Sequence, residues 1–166
     1  MGHHLFQEIG VNPEAIGTIL IVCTGNICRS PMAEGVLRDR FRSSGMDHIR
    51  LESAGIHGWD SQRPTLQAVQ ACRGIGVDIG DLRSSPINRQ MVEAAALILA
   101  MERHHIEKIQ EWFNVESAKL HLLGEFYPEN PGMEIPDPYG LSTAYYRKIL
   151  DLICRCANGL VRQLTT

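Results

Sequence analysis

Little in this sequence suggests a membrane, a nucleic acid or an oxidising compartment. No apolar run is long enough to span a bilayer, and the N-terminus lacks the charged and apolar regions of a signal peptide. The formal net charge is only -3, so there is no basic excess for binding nucleic acid or a membrane surface. The five cysteines form no regular framework and fit a reducing compartment better than a disulfide-stapled secreted domain. We therefore predict a cytoplasmic protein without a membrane or nucleic-acid partner.

Internal repeats and low-complexity segments are also missing, and 166 residues with 44% hydrophobic content suit one domain with one core. Strands alternate with helices along the chain, which is the pattern of a parallel sheet covered on both faces. We predict an α/β fold, a single-domain three-layer sandwich with a central four-stranded parallel sheet and helices on both faces. The predicted strands are residues 18–22, 49–54, 96–101 and 119–123, and the predicted helices are residues 31–42, 64–75, 86–95, 102–113 and 142–164.

Two of these helices carry detailed expectations. Pro31 suits the first helical position of the first helix, and Ser142 suits the N-cap of the last one. Helical spacing predicts that the last helix buries one face, made of Tyr145, Ile149, Leu152, Ile153, Cys156 and Leu160.

The short loop from Cys23 to Ser30 joins the first strand to the first helix. Backbone N–H groups of such a loop point at one spot, where the helix dipole adds positive potential, so an anion belongs there. The same groups favour the thiolate of Cys23, which we expect to be a nucleophile at neutral pH. Arg29, six positions later, can grip two oxygens of a phosphate and stabilise the charge of a trigonal bipyramidal transition state. The loop therefore predicts a phosphate cradle around a nucleophile.

Other loop residues match this chemistry. Asn26 tolerates a left-handed backbone that lets the loop curl inward, and the Ser30 hydroxyl can hydrogen-bond the thiolate, so both are assigned to loop support. The predicted phosphate-binding residues are Thr24, Gly25, Asn26, Ile27, Cys28 and Arg29. In a purely structural interpretation, Cys23 is a buried cysteine at the end of a strand and Arg29 is a surface cation. This interpretation leaves the residue types in the rest of the loop unexplained.

This segment resembles the signature loop of the low-molecular-weight protein tyrosine phosphatases, which reads Cys, five residues, Arg, then Ser or Thr. Ser53-Ala54-Gly55 resembles the family's second-strand ending, residues 96–101 its third strand, and Ile135-Pro136-Asp137-Pro138-Tyr139 its acid loop. The resemblance covers about residues 18–164. It implies a phosphatase without cofactor or metal that hydrolyses phosphotyrosine through a cysteinyl-phosphate intermediate.

Asp137 is the candidate proton donor, because a phenolate leaves poorly without a proton. Pro136 and Pro138 restrict the backbone on either side and can hold the carboxyl over the cradle. A plain Asp-Pro turn is the alternative. The family resemblance assigns this position to the general acid, which then accepts a proton from the hydrolytic water.

The predicted substrate wall consists of Ile27, Trp59 and Tyr139, although an aromatic beside such a loop is as often simple packing. Cys28 is the predicted redox partner of Cys23, with which family members form a reversible disulfide; a small residue on the underside of the loop is the alternative. We expect Cys72, Cys154 and Cys156 to be core or helix-surface residues. His104 and His105 are adjacent, hence expected on different helix faces, and no second ligand pair accompanies them, so no metal site is predicted.

Other functions share the scaffold. Thioredoxin-coupled arsenate reductases need two further cysteines after the third strand, and residues 101–107 contain none. The related protein arginine phosphatases place Thr at the position of Ile27, whereas an apolar branched side chain suits a phosphotyrosine ring. A non-catalytic phosphate-binding module would have little need for both Cys23 and Asp137. Many family members have His where this chain has Leu82, which puts support of the cradle from that side in doubt.

The acid loop has one aromatic where the animal enzymes tend to have two adjacent tyrosines, so it is more similar to bacterial members. Such members often act on autophosphorylated tyrosine kinases, and the resemblance implies a phosphotyrosine protein of this kind as substrate, with phosphate or other oxyanions as inhibitors. Residues 1–16 lie outside the resemblance. We expect them to be a mobile N-terminal extension or cloning lead-in, and residues 17–166 to form the phosphatase domain.

Overall fold

A single parallel sheet organises the fold. The computed structural model describes residues 6–7 and 12–166. The sheet's strands are β1 (Thr18–Cys23), β2 (Arg50–Gly55), β3 (Leu97–Ala100) and β4 (Leu120–Leu122). They are all parallel and lie in the order β2-β1-β3-β4. The strand that ends at Cys23 therefore lies inside the sheet, with a neighbour on each side.

Helices follow the strands along the chain. The α-helices of the described chain from residue 12 onwards are α1 (Arg29–Ser43), α2 (Leu66–Arg73), α3 (Arg89–Ala94), α4 (Arg103–Phe113) and α5 (Thr143–Thr165). Short 3-10 helices cover Pro13–Ala15, Ser117–Lys119 and Leu123–Phe126. Across the described residues, every helix falls short of the length and apolarity needed to cross a bilayer.

Side chains of β1 alternate between two buried clusters. Ile19 and Ile21 belong to the cluster that contains residues of α1, α2 and α5. Leu20 and Val22 belong to the cluster that contains residues of α3 and α4. Because successive side chains of a strand point to opposite faces, both faces of the sheet are covered. The predicted three-layer sandwich with a four-stranded parallel sheet is confirmed.

The first helix begins earlier than the sequence predicts. It starts at Arg29 with Cys28 as N-cap, so Pro31 occupies the third helical position instead of the first. No backbone N–H in the first turn has an intrahelical acceptor, and proline is therefore tolerated there without losing a hydrogen bond. Arg29 is thus held by the helix as well as by the loop.

Two other helices are shorter than predicted. The α3 helix starts at Arg89 because the Asn88 side chain caps it, accepting a hydrogen bond of 2.9 Å from the Met91 N–H. The α2 helix ends at Arg73, and Gly76 lies in the turn after it with φ of +79°. The N-cap therefore sets the start of α3, and the glycine-containing turn sets the end of α2, both inside the predicted ranges.

The buried face of α5 is turned slightly from the predicted one. Tyr146 and Leu150 are buried, whereas Tyr145 and Leu152 are only half-buried. Burial of Ile149, Ile153, Cys156 and Leu160 is confirmed. The Ser142 side chain caps the helix as predicted, accepting from the Tyr145 N–H at 3.2 Å. Helical periodicity does not distinguish two adjacent tyrosines, and packing against the neighbouring elements determines which of them is buried.

The N-terminal segment differs in part from the mobile lead-in that we expected. Phe6 is 3% exposed, and its ring stacks on Phe126 with centroids 5.5 Å apart. Ile16 is buried in the same cluster. The expectation for residues 1–5 and 8–11 lies outside the described residues, and the domain boundary at residue 17 stays a prediction.

Candidate active site

The loop predicted to cradle phosphate, called the phosphate loop below, occupies residues 24–28, between the end of β1 and the start of α1. The end of β2 lies close beside it. A Cβ atom built on Gly55 would lie 2.7 Å from the Thr24 carbonyl oxygen and 3.0 Å from the Asn26 backbone nitrogen. Glycine at this position therefore allows β2 to support the loop from the side.

Asn26 ties the loop to its surroundings. It is buried, and its φ of 57° is left-handed. Its side-chain amide donates to Ser30 Oγ at 2.7 Å and to Ser53 Oγ at 2.9 Å, and its oxygen accepts from the Ser85 N–H at 2.8 Å. The Ser85 backbone thus supports the loop from the segment whose Leu82 had put that support in doubt.

Two hydrogen-bond donors converge on the sulfur of Cys23. The Asn26 N–H donates to Sγ at 3.3 Å, and Ser30 Oγ lies 3.0 Å from Sγ. The Asn26 amide nitrogen has no acceptor capacity, so Ser30 Oγ accepts from it and keeps its own hydrogen for Cys23. A thiolate accepts such donors readily, and the geometry suits a nucleophilic sulfur.

Arg29 is buried at 1% exposure and shares its donors between the protein and the cavity. Its Nη1 donates to Glu102 Oε2 at 2.6 Å and to the Ile135 carbonyl at 2.8 Å. Its Nη2 lies 3.4 Å from Thr24 Oγ1 and 3.6 Å from Asp137 Oδ2. Its Nε is buried without a partner. An unpaired buried N–H costs about 1 to 3 kcal/mol, and an oxyanion would supply the acceptor.

His105 supports the loop from α4. Its Nδ1 accepts from the Glu102 N–H at 3.1 Å, so Nε2 carries the ring proton and donates to Thr24 Oγ1 at 2.8 Å. Burial, helped by the neighbouring charges of His104 and Arg29, lowers the pKa of His105 to about 3. The imidazole is therefore neutral at pH 7 and fixes the Thr24 hydroxyl beside the guanidinium.

Glu102, His104 and His105 form the kind of cluster that can hold a metal, with ligand atoms within 4.8 Å of one another. As expected for different helix faces, His104 is exposed and His105 is buried, although their ring centroids lie 4.1 Å apart in the first turn of α4. Both ring nitrogens of His105 already have partners, and Glu102 pairs with Arg29. These groups fit supports of the loop better than metal ligands.

A cavity of about 310 Å³ opens above the sulfur. It is lined by Cys23, Thr24, Gly25, Ile27, Cys28, Arg29, His57, Trp59, Asp137 and Tyr139. The three residues predicted to be catalytic and the three predicted to form the substrate wall thus line one space. Asp137 Oδ1 accepts from the Tyr139 N–H at 3.1 Å, which fixes the carboxyl at the rim.

Aromatic side chains mark the mouth of the cavity. Trp59 is 66% exposed and Tyr139 63% exposed, so both rings are open to solvent beside the sulfur site. His57, which sequence reasoning missed, also lines the cavity and meets the edge of Trp112 with centroids 6.3 Å apart. Exposed rings beside a predicted anion site fit a flat apolar group attached to the anion.

The cysteines fall into two groups. Cys23 and Cys28 line the cavity, and all five thiols are free. Cys72 and Cys156 are buried in the core, where burial raises the pKa of each thiol to about 12, and Cys154 is half-buried. This placement matches the expectation of core or helix-surface residues.

Several supporting residues had no usable signal in the sequence. They are His57, Thr65, Ser85, His105 and Tyr146, which come from five separate parts of the chain. Glu102 had one signal, because it follows a buried strand whose carboxyl end faces the site.

Comparison with known proteins agrees with this geometry. The family model described as low molecular weight phosphotyrosine protein phosphatase matches residues 18–166. The chain belongs to this family. The family resemblance found in the sequence is thereby confirmed, and with it the class of enzyme, a phosphoric monoester hydrolase.

Three relatives show the range of the similarity. A low molecular weight protein-tyrosine-phosphatase of Streptomyces coelicolor is 31% identical over 151 residues, which cover 86% of this chain and 90% of the relative. A protein-arginine-phosphatase of Bacillus subtilis is 32% identical over 146 residues, which cover 88% and 95%. The crystal structure of the tyrosine phosphatase Wzb from Escherichia coli K30 in complex with sulphate has a TM-score of 0.81 and 27% identity, covering 90% of this chain and 99% of that one.

Proposed function

We propose that this phosphatase hydrolyses phosphotyrosine in protein substrates through a covalent cysteinyl-phosphate on Cys23. One observation carries the proposal: a sulfur with two donors, a buried guanidinium and a carboxyl line the same cavity, whose mouth is aromatic. These are the groups that attack, charge stabilisation and proton transfer require.

In the first step, the Cys23 sulfur attacks phosphorus and the bond from phosphorus to the tyrosine oxygen breaks. The Asp137 carboxyl donates its proton to the departing oxygen. Arg29 Nε and Nη2, together with the loop N–H groups, hold the equatorial oxygens. Arg29 Nη2 lies 3.6 Å from Asp137 Oδ2, so the acid and the anion clamp meet at one end of the cavity.

In the second step, water attacks phosphorus and the bond from phosphorus to sulfur breaks. Asp137, now a carboxylate, accepts a proton from the water, and phosphate leaves. The Ser30 hydroxyl, 3.0 Å from the sulfur, stabilises the thiolate that is released. Cys23 and Asp137 therefore act in both steps of the reaction.

Replacing the nucleophile tests the proposal. Cys23→Ser should abolish turnover of p-nitrophenyl phosphate and of phosphotyrosine peptides, because the hydroxyl is a far weaker nucleophile. Binding of vanadate or phosphate should remain measurable, because Arg29 and the loop are retained. Cys154→Ser, at a half-buried position on α5 outside the cavity, is the matched control and should keep full activity. Appreciable hydrolysis by Cys23→Ser would remove this residue from its role.

A protein arginine phosphatase is the second candidate, because the Bacillus subtilis arginine phosphatase is as similar to this chain as the tyrosine phosphatase of Streptomyces coelicolor. Ile27 in the cavity wall favours the tyrosine reading, since it offers no hydroxyl to a guanidinium. Among proteins we propose an autophosphorylated tyrosine kinase as the natural substrate. Incubating such a kinase with the wild type and with Cys23→Ser, followed by phosphotyrosine immunoblotting, tests it.

A further inference from the structure

The long helix α5 carries a buried hydroxyl that reaches the phosphate loop. Tyr146 is 1% exposed, and its oxygen lies 3.2 Å from Cys28 Sγ and 3.2 Å from Thr65 Oγ1. Cys28 Sγ is 3.7 Å from Thr65 Oγ1, which closes a ring of three polar groups. Burial raises the pKa of both Cys28 and Tyr146, so the ring is uncharged at neutral pH.

The hydrogens of this ring have a consistent direction. Thr65 Oγ1 accepts from the Ala68 N–H at 3.3 Å as the N-cap of α2, and its own hydrogen is free to go to the Tyr146 oxygen. The Tyr146 hydrogen then goes to the Cys28 sulfur. The Thr65 N–H also donates to the Ile27 carbonyl at 2.9 Å. Residues 27 and 28 of the loop are therefore held together by α2 and α5.

The position of Cys28 affects how the loop N–H groups and Arg29 are arranged relative to each other. Cys28 lines the cavity, is the N-cap of α1 and immediately precedes Arg29. The guanidinium of Arg29 is already committed through Nη1 to Glu102 and Ile135. A rotation of Cys28 would therefore change the loop N–H groups and the remaining Arg29 donors relative to each other, and both sets must meet one anion.

We propose that the Tyr146 hydroxyl is a positioning group of the phosphate loop and acts through the Cys28 sulfur. The proposal rests on the proposed function only in taking this loop as the phosphate site. Tyr146 itself does not line the cavity, so it orders the groups that bind and does not touch the substrate.

Tyr146→Phe removes only the hydroxyl and keeps the buried ring. We expect the Kd for inorganic phosphate, followed by tryptophan fluorescence because Trp59 lines the cavity, to rise about threefold to tenfold. The KM for p-nitrophenyl phosphate should rise by a similar factor and kcat should change less, since ground state and transition state lose the same support. Tyr145→Phe, on the half-buried neighbouring position, is the control and should leave the phosphate Kd unchanged.

A double-mutant cycle tests whether the effect passes through the sulfur. In a Cys28→Ala background, Tyr146→Phe should change the phosphate Kd by less than about twofold, because the partner of the hydroxyl is already gone. An equal effect in both backgrounds, or a lowered Tm with an unchanged phosphate Kd, would overturn the proposal. If the wild type binds phosphate but does not hydrolyse phosphotyrosine, the proposed function fails, while the Kd cycle still decides the role of Tyr146.

Discussion

At the scale of single residues, the site depends on how one buried cation is shared. Arg29 is 1% exposed, and an unpaired charge at that depth would cost several kcal/mol. Glu102 neutralises it at 2.6 Å through Nη1 alone. Because this pairing uses Nη1, Nε has no partner, and Nη2 has only its longer contacts to Thr24 and Asp137. The charge is thus compensated inside the fold, and this arrangement supports the proposed oxyanion clamp.

Asp137 provides the first prediction at this scale. Asp137→Asn keeps the shape of the side chain but removes the proton donor. We expect kcat to fall about 100-fold or more for phosphotyrosine and phenyl phosphate, and much less for activated aryl phosphates, whose oxygens leave without a proton. The measurement is kcat across a series of leaving groups of different pKa. Asp47→Asn, an exposed position outside the cavity, is the control, and equal losses for all leaving groups would make Asp137 structural.

Ile27 provides the second prediction at the scale of single residues. Its side chain lines the cavity beside the sulfur and packs partly against the core. We expect the wild type to prefer phosphotyrosine over phosphoarginine peptides and Ile27→Thr to move the ratio of kcat/KM values toward phosphoarginine. One contact of this sort is worth about 1 to 3 kcal/mol of discrimination. A wild type that prefers phosphoarginine would leave the reaction class intact and refute the tyrosine assignment.

At the scale of elements, the start of α4 supports the phosphate loop from outside the loop itself. Glu102 and His105 form a capping box, in which the His105 ring accepts from the Glu102 N–H and the other ring nitrogen reaches Thr24. The same turn directs the Glu102 carboxylate to Arg29. Capping a helix and bracing the phosphate loop are therefore one arrangement of side chains.

This arrangement predicts a pH dependence of stability. The folded pKa of His105 is about 3, below the unfolded value of about 6.5, so between these values only the unfolded chain takes up the proton. The neutral His105 ring therefore does not lower the free energy of unfolding well above pH 6.5, and it lowers it increasingly as pH falls below that value. Between pH 7 and pH 5 we expect about 2 kcal/mol of the free energy of unfolding to be lost through this residue.

The measurement is urea denaturation of the wild type and of His105→Gln at both pH values. Glutamine can still accept from the Glu102 N–H but does not titrate. Between pH 7 and pH 5 the variant should therefore lose about 2 kcal/mol less of its free energy of unfolding than the wild type. An identical pH dependence of the two proteins would contradict the burial of a neutral imidazole.

At the scale of the whole molecule, segments far apart in the chain share one core. The Phe6 ring stacks on Phe126, which also packs in the cluster that covers the α5 side of the sheet. Residue 6 therefore contributes to the stability of a domain that the sequence pattern starts at residue 17. The fold extends further toward the N-terminus than the family resemblance does.

Phe6→Ala should therefore lower the free energy of unfolding by about 3 kcal/mol, the typical cost of deleting a buried ring. Leu66→Ala, which truncates a side chain that is 67% exposed, is the control and should change it by less than about 0.5 kcal/mol. Chemical denaturation followed by circular dichroism measures both variants. A Phe6→Ala protein as stable as the wild type would show that the segment adds nothing to the core.

The sequence by itself determined what is local. A strand, a loop and a helix that follow one another predict that Cys23 and Arg29 share one anion site, and two prolines single out Asp137 as the candidate acid. Apolar periodicity was sufficient for the order of strands and helices and for the layers, whereas caps and loop geometry set the ends of α1, α2 and α3. These signals act over a few residues, where chain connectivity already sets the distances.

Only the tertiary structure decided which distant side chains support the loop. His105 lies 81 residues from the Thr24 hydroxyl that it fixes, and Tyr146 lies 118 residues from the Cys28 sulfur. Periodicity tells that a face is buried but not which side chain it meets, so Tyr145 and Tyr146 could not be told apart. The contact between Tyr146 and the loop arises from the packing of α5 against α1 and α2, which no single segment encodes.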